Sequence, residues 1–110
     1  MEPLDFTFMT LCAITYGNGK FVIGGAGGSM AYSADGVTWT TVANSQFNNP
    51  INAISYGNGK FVAGGDYRRT AYYTDGVTWT KLTDAPGAIW TITYGNGRFV
   101  AGCGSGLAYW

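Results

Sequence analysis

Six carboxylates and no histidine limit the chemistry open to this chain of 110 residues. Without an imidazole, proton transfer near neutral pH loses its commonest agent. The acids are Glu2, Asp5, Asp35, Asp66, Asp75 and Asp84. Asp35 and Asp75 each precede a glycine, in pairs that read as tight turns. Two carboxylates are enough for glycoside hydrolysis, but only symmetry-related copies would bring Asp66 or Asp84 together, and no motif arranges that. No His/Cys cluster or Asp-rich loop offers a metal site. Cys12 and Cys103 are expected to be buried free thiols. The expectation is a protein that is not an enzyme and holds no cofactor.

The side chains that suit binding are of a different kind. Trp90 offers a flat apolar face, while Asn48, Asn49, Asn52, Asp66, Tyr67, Arg68 and Arg69 supply donors and acceptors. An aromatic ring to stack on, flanked by fixed polar groups, is what a sugar requires. The alternative is structural. Asn-rich loops are ordinary turn chemistry, Trp90 packs against a neighbouring sheet, and the arginines are solvated ends of a hairpin.

What positions these residues is a repeat. Tyr-Gly-Asn-Gly followed by Lys or Arg and Phe-Val begins at Tyr16, Tyr56 and Tyr94, 40 and 38 residues apart. A period of roughly 40 residues on strand patterns marks a β-propeller blade of about four strands. In the middle copy, alternating residues 51–56 form strand A, and Gly57-Asn58-Gly59 turns the chain. Residues 60–63 return as strand B, and 64–69 make a looser connection. Strand C is 70–74; Asp75-Gly76 turns the chain into strand D, 77–82. The first copy places the same strands at 11–16, 20–24, 29–33 and 37–42. The fold class expected is all-β, a propeller of four-stranded antiparallel meander blades.

Residues 11–50 thus form a first blade, 51–88 a second, and 89–110 a partial third with strands A (89–94), B (98–101) and C (107–110). Its missing strand D has a candidate in residues 1–10, where Leu4-Asp-Phe-Thr7 matches Val37-Thr-Trp-Thr40. Such a strand would latch a ring; alternatively, residues 1–10 lengthen the first inner strand.

Composition narrows the partners. Six basic and six acidic residues leave no net charge, so nothing recommends nucleic acid. No stretch approaches the roughly 20 apolar residues that span a bilayer, so no membrane partner is expected. The start of the chain does not read as a signal peptide, and the compartment stays open. Eighteen glycines and eighteen aromatic residues suit short strands, tight turns and rings packed between sheets.

The segments Ser33-Ala-Asp-Gly-Val-Thr-Trp39 and Thr74-Asp-Gly-Val-Thr-Trp79 resemble the Asp-box of sialidase-type propellers, with one residue fewer between Asp and Gly. Together with the YGNGKFVAGG segment, the chain is similar to Asp-box-related propellers of bacterial and phage proteins. That resemblance implies structural hairpins at the outer part of a blade. Asp35 and Asp75 would cap turns, and Trp39 and Trp79 would pack between sheets. It also implies no sialidase chemistry, because Arg68, Arg69 and Arg98 come without an internal glutamate beside them.

Two or three stacked blades leave open edges and faces, which rings remove. The expected partner is therefore the chain itself, closing a homo-oligomeric ring. A head-to-tail dimer of six blades comes first, with another closed count as runner-up. The A–B and C–D turns share one face of the ring and repeat closely between copies. The D–A and B–C loops share the other face and vary, which is where ligands bind on rigid scaffolds. The leading functional reading is a lectin-like, carbohydrate-binding ring; the alternative is a structural, duplicated or engineered scaffold without a ligand.

Overall fold

The computed structural model describes residues 10–42, 44–66, 70–73, 80–81, 87–104 and 106–109. Eleven strands run through them: β1 (Leu11–Gly17), β2 (Lys20–Gly25), β3 (Met30–Ser33), β4 (Thr40–Thr41), β5 (Ile51–Gly57), β6 (Lys60–Gly65), β7 (Thr70–Tyr73), β8 (Thr80–Lys81), β9 (Ile89–Gly95), β10 (Arg98–Cys103) and β11 (Gly106–Tyr109). They form three antiparallel meanders in sequence order, β1 to β4, β5 to β8 and β9 to β11. β1 lies against β5, and β5 against β9, so the first strands of the sheets form one inner row. The all-β reading holds, and the stacking is consistent with propeller-like blades.

The hairpins form for the expected local reason. Asn18 and Gly19 take φ of 50° and 76°, and Asn58–Gly59 and Asn96–Gly97 repeat those values closely. Two successive positive φ values make the turn whose twist matches the flanking strands. Each turn fixes the register, with Tyr16 opposite Phe21, Tyr56 opposite Phe61 and Tyr94 opposite Phe99. In all three copies the paired rings also touch, with centroids 4.6 to 4.8 Å apart.

Alternation then sends residues to two faces of each sheet. Val22 and Met30 of the first sheet pack with Ile51, Ile54, Phe61, Ala63 and Ala71 of the second. The opposite face of the second sheet sends Ala53 and Val62 to Ile89, Ile92, Phe99 and Ala101 of the third. Ile51 and Ile89 are completely buried at these two seams. Each is worth about 1.5–3 kcal/mol in transfer free energy.

Strand D departs from expectation. The sequence places it at 37–42, yet β4 is only Thr40–Thr41. The Asp35 carboxylate accepts the amides of Val37 and Thr38 at 2.8 and 2.9 Å. Those amides are therefore engaged with Asp35 rather than with β3. In the second sheet only Thr80–Lys81 of the expected strand 77–82 are described, as β8. Residues 1–9, the proposed latch, lie outside the described residues. The Thr10 carbonyl accepts the Ala26 amide at 2.9 Å, which carries the β1–β2 pairing one residue further towards the N-terminus.

Candidate functional site

At the end of each sheet away from the Asn-Gly turn, the inner strand carries a β-bulge. The register slips across Leu11/Ala13, Ile51/Ala53 and Ile89/Thr91, so the extra residues are Cys12, Asn52 and Trp90. A bulge re-aims one side chain without disturbing the strand around it. Just before each bulge a carbonyl, of Thr10, Pro50 or Ala88, accepts an amide from the B–C connection, of Ala26, Asp66 or Gly104. Three equivalent frames thus present three different side chains.

The middle frame is occupied by internal bonds. The Asn52 amide donates to the Asp66 carboxylate at 3.0 Å and to the Ile89 carbonyl at 2.9 Å. Asn52 therefore ties its own B–C loop to the next inner strand. Trp90 follows Ile89 directly and stands 66% exposed. The structure thus brings Asn52, Asp66 and the backbone beside Trp90 to one place. Asn48 and Asn49 lie exposed on the connection from β4 to β5. That connection is pinned beneath them by the Ser45 hydroxyl, which donates to the Gly28 carbonyl at 2.6 Å, and by the buried ring of Phe47. Tyr67, Arg68 and Arg69 lie outside the described residues.

Cys12 is exposed and Cys103 half-buried, correcting the expectation of two buried thiols. The bulge at Cys12 belongs to the first inner strand, which has no preceding sheet packed over it among the described residues. Asp35 fulfils its turn role. The Thr38 amide first, then the Val37 amide and the Ser33 hydroxyl, hold its carboxyl below the ordinary range. Trp39 packs against the buried Ile23 and Ala31.

The Asn-Gly end carries a feature that the repeat, taken as turn chemistry alone, does not announce. Between the second and third sheets, Asn58, Lys60, Val62, Tyr72, Tyr94 and Phe99 line a groove of about 310 Å³. The Lys60 ammonium sits 5.6 Å from the Tyr72 ring centre. Lys20 over Tyr32 and Arg98 over Tyr109 repeat that pairing at 5.2 and 5.1 Å. The signal was present as a basic residue recurring directly after each Asn-Gly. Its partner appears only once the B–C register is known. Among the described residues, no group of three or more His, Cys, Asp or Glu side chains is placed to hold a metal ion.

No protein-family model matches the chain, and no curated protein matches it. Solved structures do. The computationally designed Ika8 protein is similar with a TM-score of 0.74 at 15% identity, over 91% of this chain and 32% of that one. The chain thus spans about a third of that protein's length. The computationally designed Ika4 protein is similar with a TM-score of 0.57 at 12% identity, over 93% of this chain and 91% of that one. At such identities the likeness is one of fold: antiparallel sheets stacked side by side.

Proposed function

We propose that this chain is a non-enzymatic structural scaffold, a set of propeller-type blades that assembles with copies of itself. The observation that supports this best is apolar exposure at both ends of the stack. Leu11, Ile14 and Tyr16 are uncovered on the first sheet, and Val100, Leu107 and Tyr109 on the third. Contiguous apolar surface of this kind marks an interaction site or an aggregation hazard. Three sheets per copy make six in a dimer, within the usual range for rings. The near-identical internal copies, together with likeness to two computationally designed proteins, favour a duplicated or designed scaffold. Light scattering on the purified chain tests this reading. A mass at a multiple of 11.7 kDa supports it, and a lone chain at micromolar concentration contradicts it.

A sugar-binding ring is the second reading, favoured by the exposed Trp90 beside the Asn52–Asp66 pair. Against it stands the commitment of the Asn52 amide to internal acceptors. Calorimetric titration of the assembled protein with monosaccharides tests it. Saturable heat that disappears in Trp90→Ala would support it; its absence would leave the scaffold.

A further inference from the structure

The scaffold reading leaves the mode of assembly open, and the seams inside the chain specify it. At each seam a tyrosine of the later sheet lies over a glycine of the earlier one. A Cβ built on Gly17 would stand 2.1 Å from Cγ of Tyr56, and one on Gly57 would stand 2.1 Å from Cγ of Tyr94. A second glycine receives isoleucine in the same way. Gly24 meets Ile51 and Ile54, and Gly64 meets Ile89. The series continues to Gly95, where a built Cβ finds nothing within 4 Å. It begins with Tyr16, which is 58% exposed. Among the described residues, the series therefore runs from a tyrosine lacking its glycine to a glycine lacking its tyrosine.

The surrounding residues obey the same offset. Val22 and Met30 face the second sheet and are buried, Met30 to 2% exposure. Their counterparts Val100 and Leu107 face outwards, Leu107 at 74% exposure. Ile54 is buried against the first sheet, whereas its counterpart Ile14 is 64% exposed. The groove at the Asn-Gly end is also divided. Asn96, Arg98, Val100 and Tyr109 repeat one wall of it, and Tyr16 and Phe21 repeat the other.

We infer that the outer face of β9–β11 docks the β1 face of a second copy of this chain, head to tail, with Tyr16 seated on Gly95 and Ile14 and Leu11 on Gly102. The inference rests on the scaffold reading and names its partner and register. A second copy is the occupant that these surfaces favour, because this chain carries the complementary surface and uses that surface twice internally. Such a heterologous contact closes a ring when its rotation permits. Each new seam would rebuild one groove, with walls drawn from two copies.

Gly95→Val tests the register, since Gly95 is open in the single chain and lies outside the left-handed region of φ. Its circular dichroism should match wild type, and its assembly should be roughly ten- to a hundredfold weaker from overpacking at the seam. Ile14→Asp should weaken assembly similarly from the opposite face. Mixing the two variants leaves one intact pair of faces, so a one-to-one complex should form at concentrations where each variant alone stays monomeric. Wild-type assembly that Gly95→Val leaves unchanged, or a mixture that stays monomeric, overturns the register while the scaffold reading stands. A wild-type chain that never associates overturns both.

Discussion

The ring of Tyr94 fills the space in which any side chain on Gly57 would stand, with Cγ 2.1 Å from a Cβ built on that glycine. The glycine is there for the neighbouring sheet: its missing side chain lets an aromatic ring lie directly on the backbone. The Tyr56–Gly57 pair thus serves two seams, the tyrosine towards the preceding sheet and the glycine towards the following one.

Gly57→Ala is accordingly expected to destabilise the fold by about 1–3 kcal/mol through overpacking. Urea unfolding should show this loss at every protein concentration. Gly95→Ala should instead show a loss that grows with concentration, because it acts through association alone. Equal, concentration-independent losses for the two variants would contradict the account.

The Asp35 carboxylate accepts the Thr38 and Val37 amides and the Ser33 hydroxyl, which lowers its pKa in the folded chain. A depressed folded pKa contributes stability above the unfolded value, and that contribution is lost as pH falls through the folded value. Asp35→Ala should therefore lower the urea midpoint at pH 7. The gap from wild type should narrow below about pH 4. A gap that is constant with pH would show that the carboxylate's charge does not hold this turn.

Asn52 joins the second sheet to the third through the Ile89 carbonyl, and to its own B–C loop through Asp66. Asn52→Ala is expected to cost about 1–2 kcal/mol, in part because the half-buried site loses both bonds. Thermal unfolding checks this. No change in Tm would mean that water replaces the amide without loss and that the bulge is free to hold a ligand.

Phe47 is buried beneath the β4–β5 connection, where its backbone carbonyl leaves no room for a side chain on Gly28. Phe47→Ala should cost about 3 kcal/mol or more. An effect below about 1 kcal/mol, read from urea unfolding, would show that the loop bearing Asn48 and Asn49 is not anchored through this ring.

Much of this fold was legible because its signals are local. Asn-Gly pairs with positive φ and strict alternation placed the A and B strands to within one or two residues. Strand D was overextended because Val-Thr-Trp favours a strand by propensity, while the nearby Asp35 carboxylate engages the amides that such a strand would use. The bulge positions were legible only as differences between copies. A periodic pattern shows that Cys12, Asn52 and Trp90 correspond, but not that each is the extra residue of a slipped register. The Tyr-Gly seam was hidden for another reason. Tyr-Gly-Asn-Gly reads as hairpin chemistry, and its second role needs the adjacent sheet in place. Cys12 was misplaced because burial statistics for free thiols assume a covered strand, and this strand begins the row.

The most direct test of the central claim, that these sheets associate through copies of one another, is the solution mass by light scattering at micromolar concentration. A closed species at twice 11.7 kDa is expected, or at a higher multiple if the ring is larger. A stable 11.7 kDa particle, with Ile14, Tyr16 and Leu107 still facing water, would contradict it.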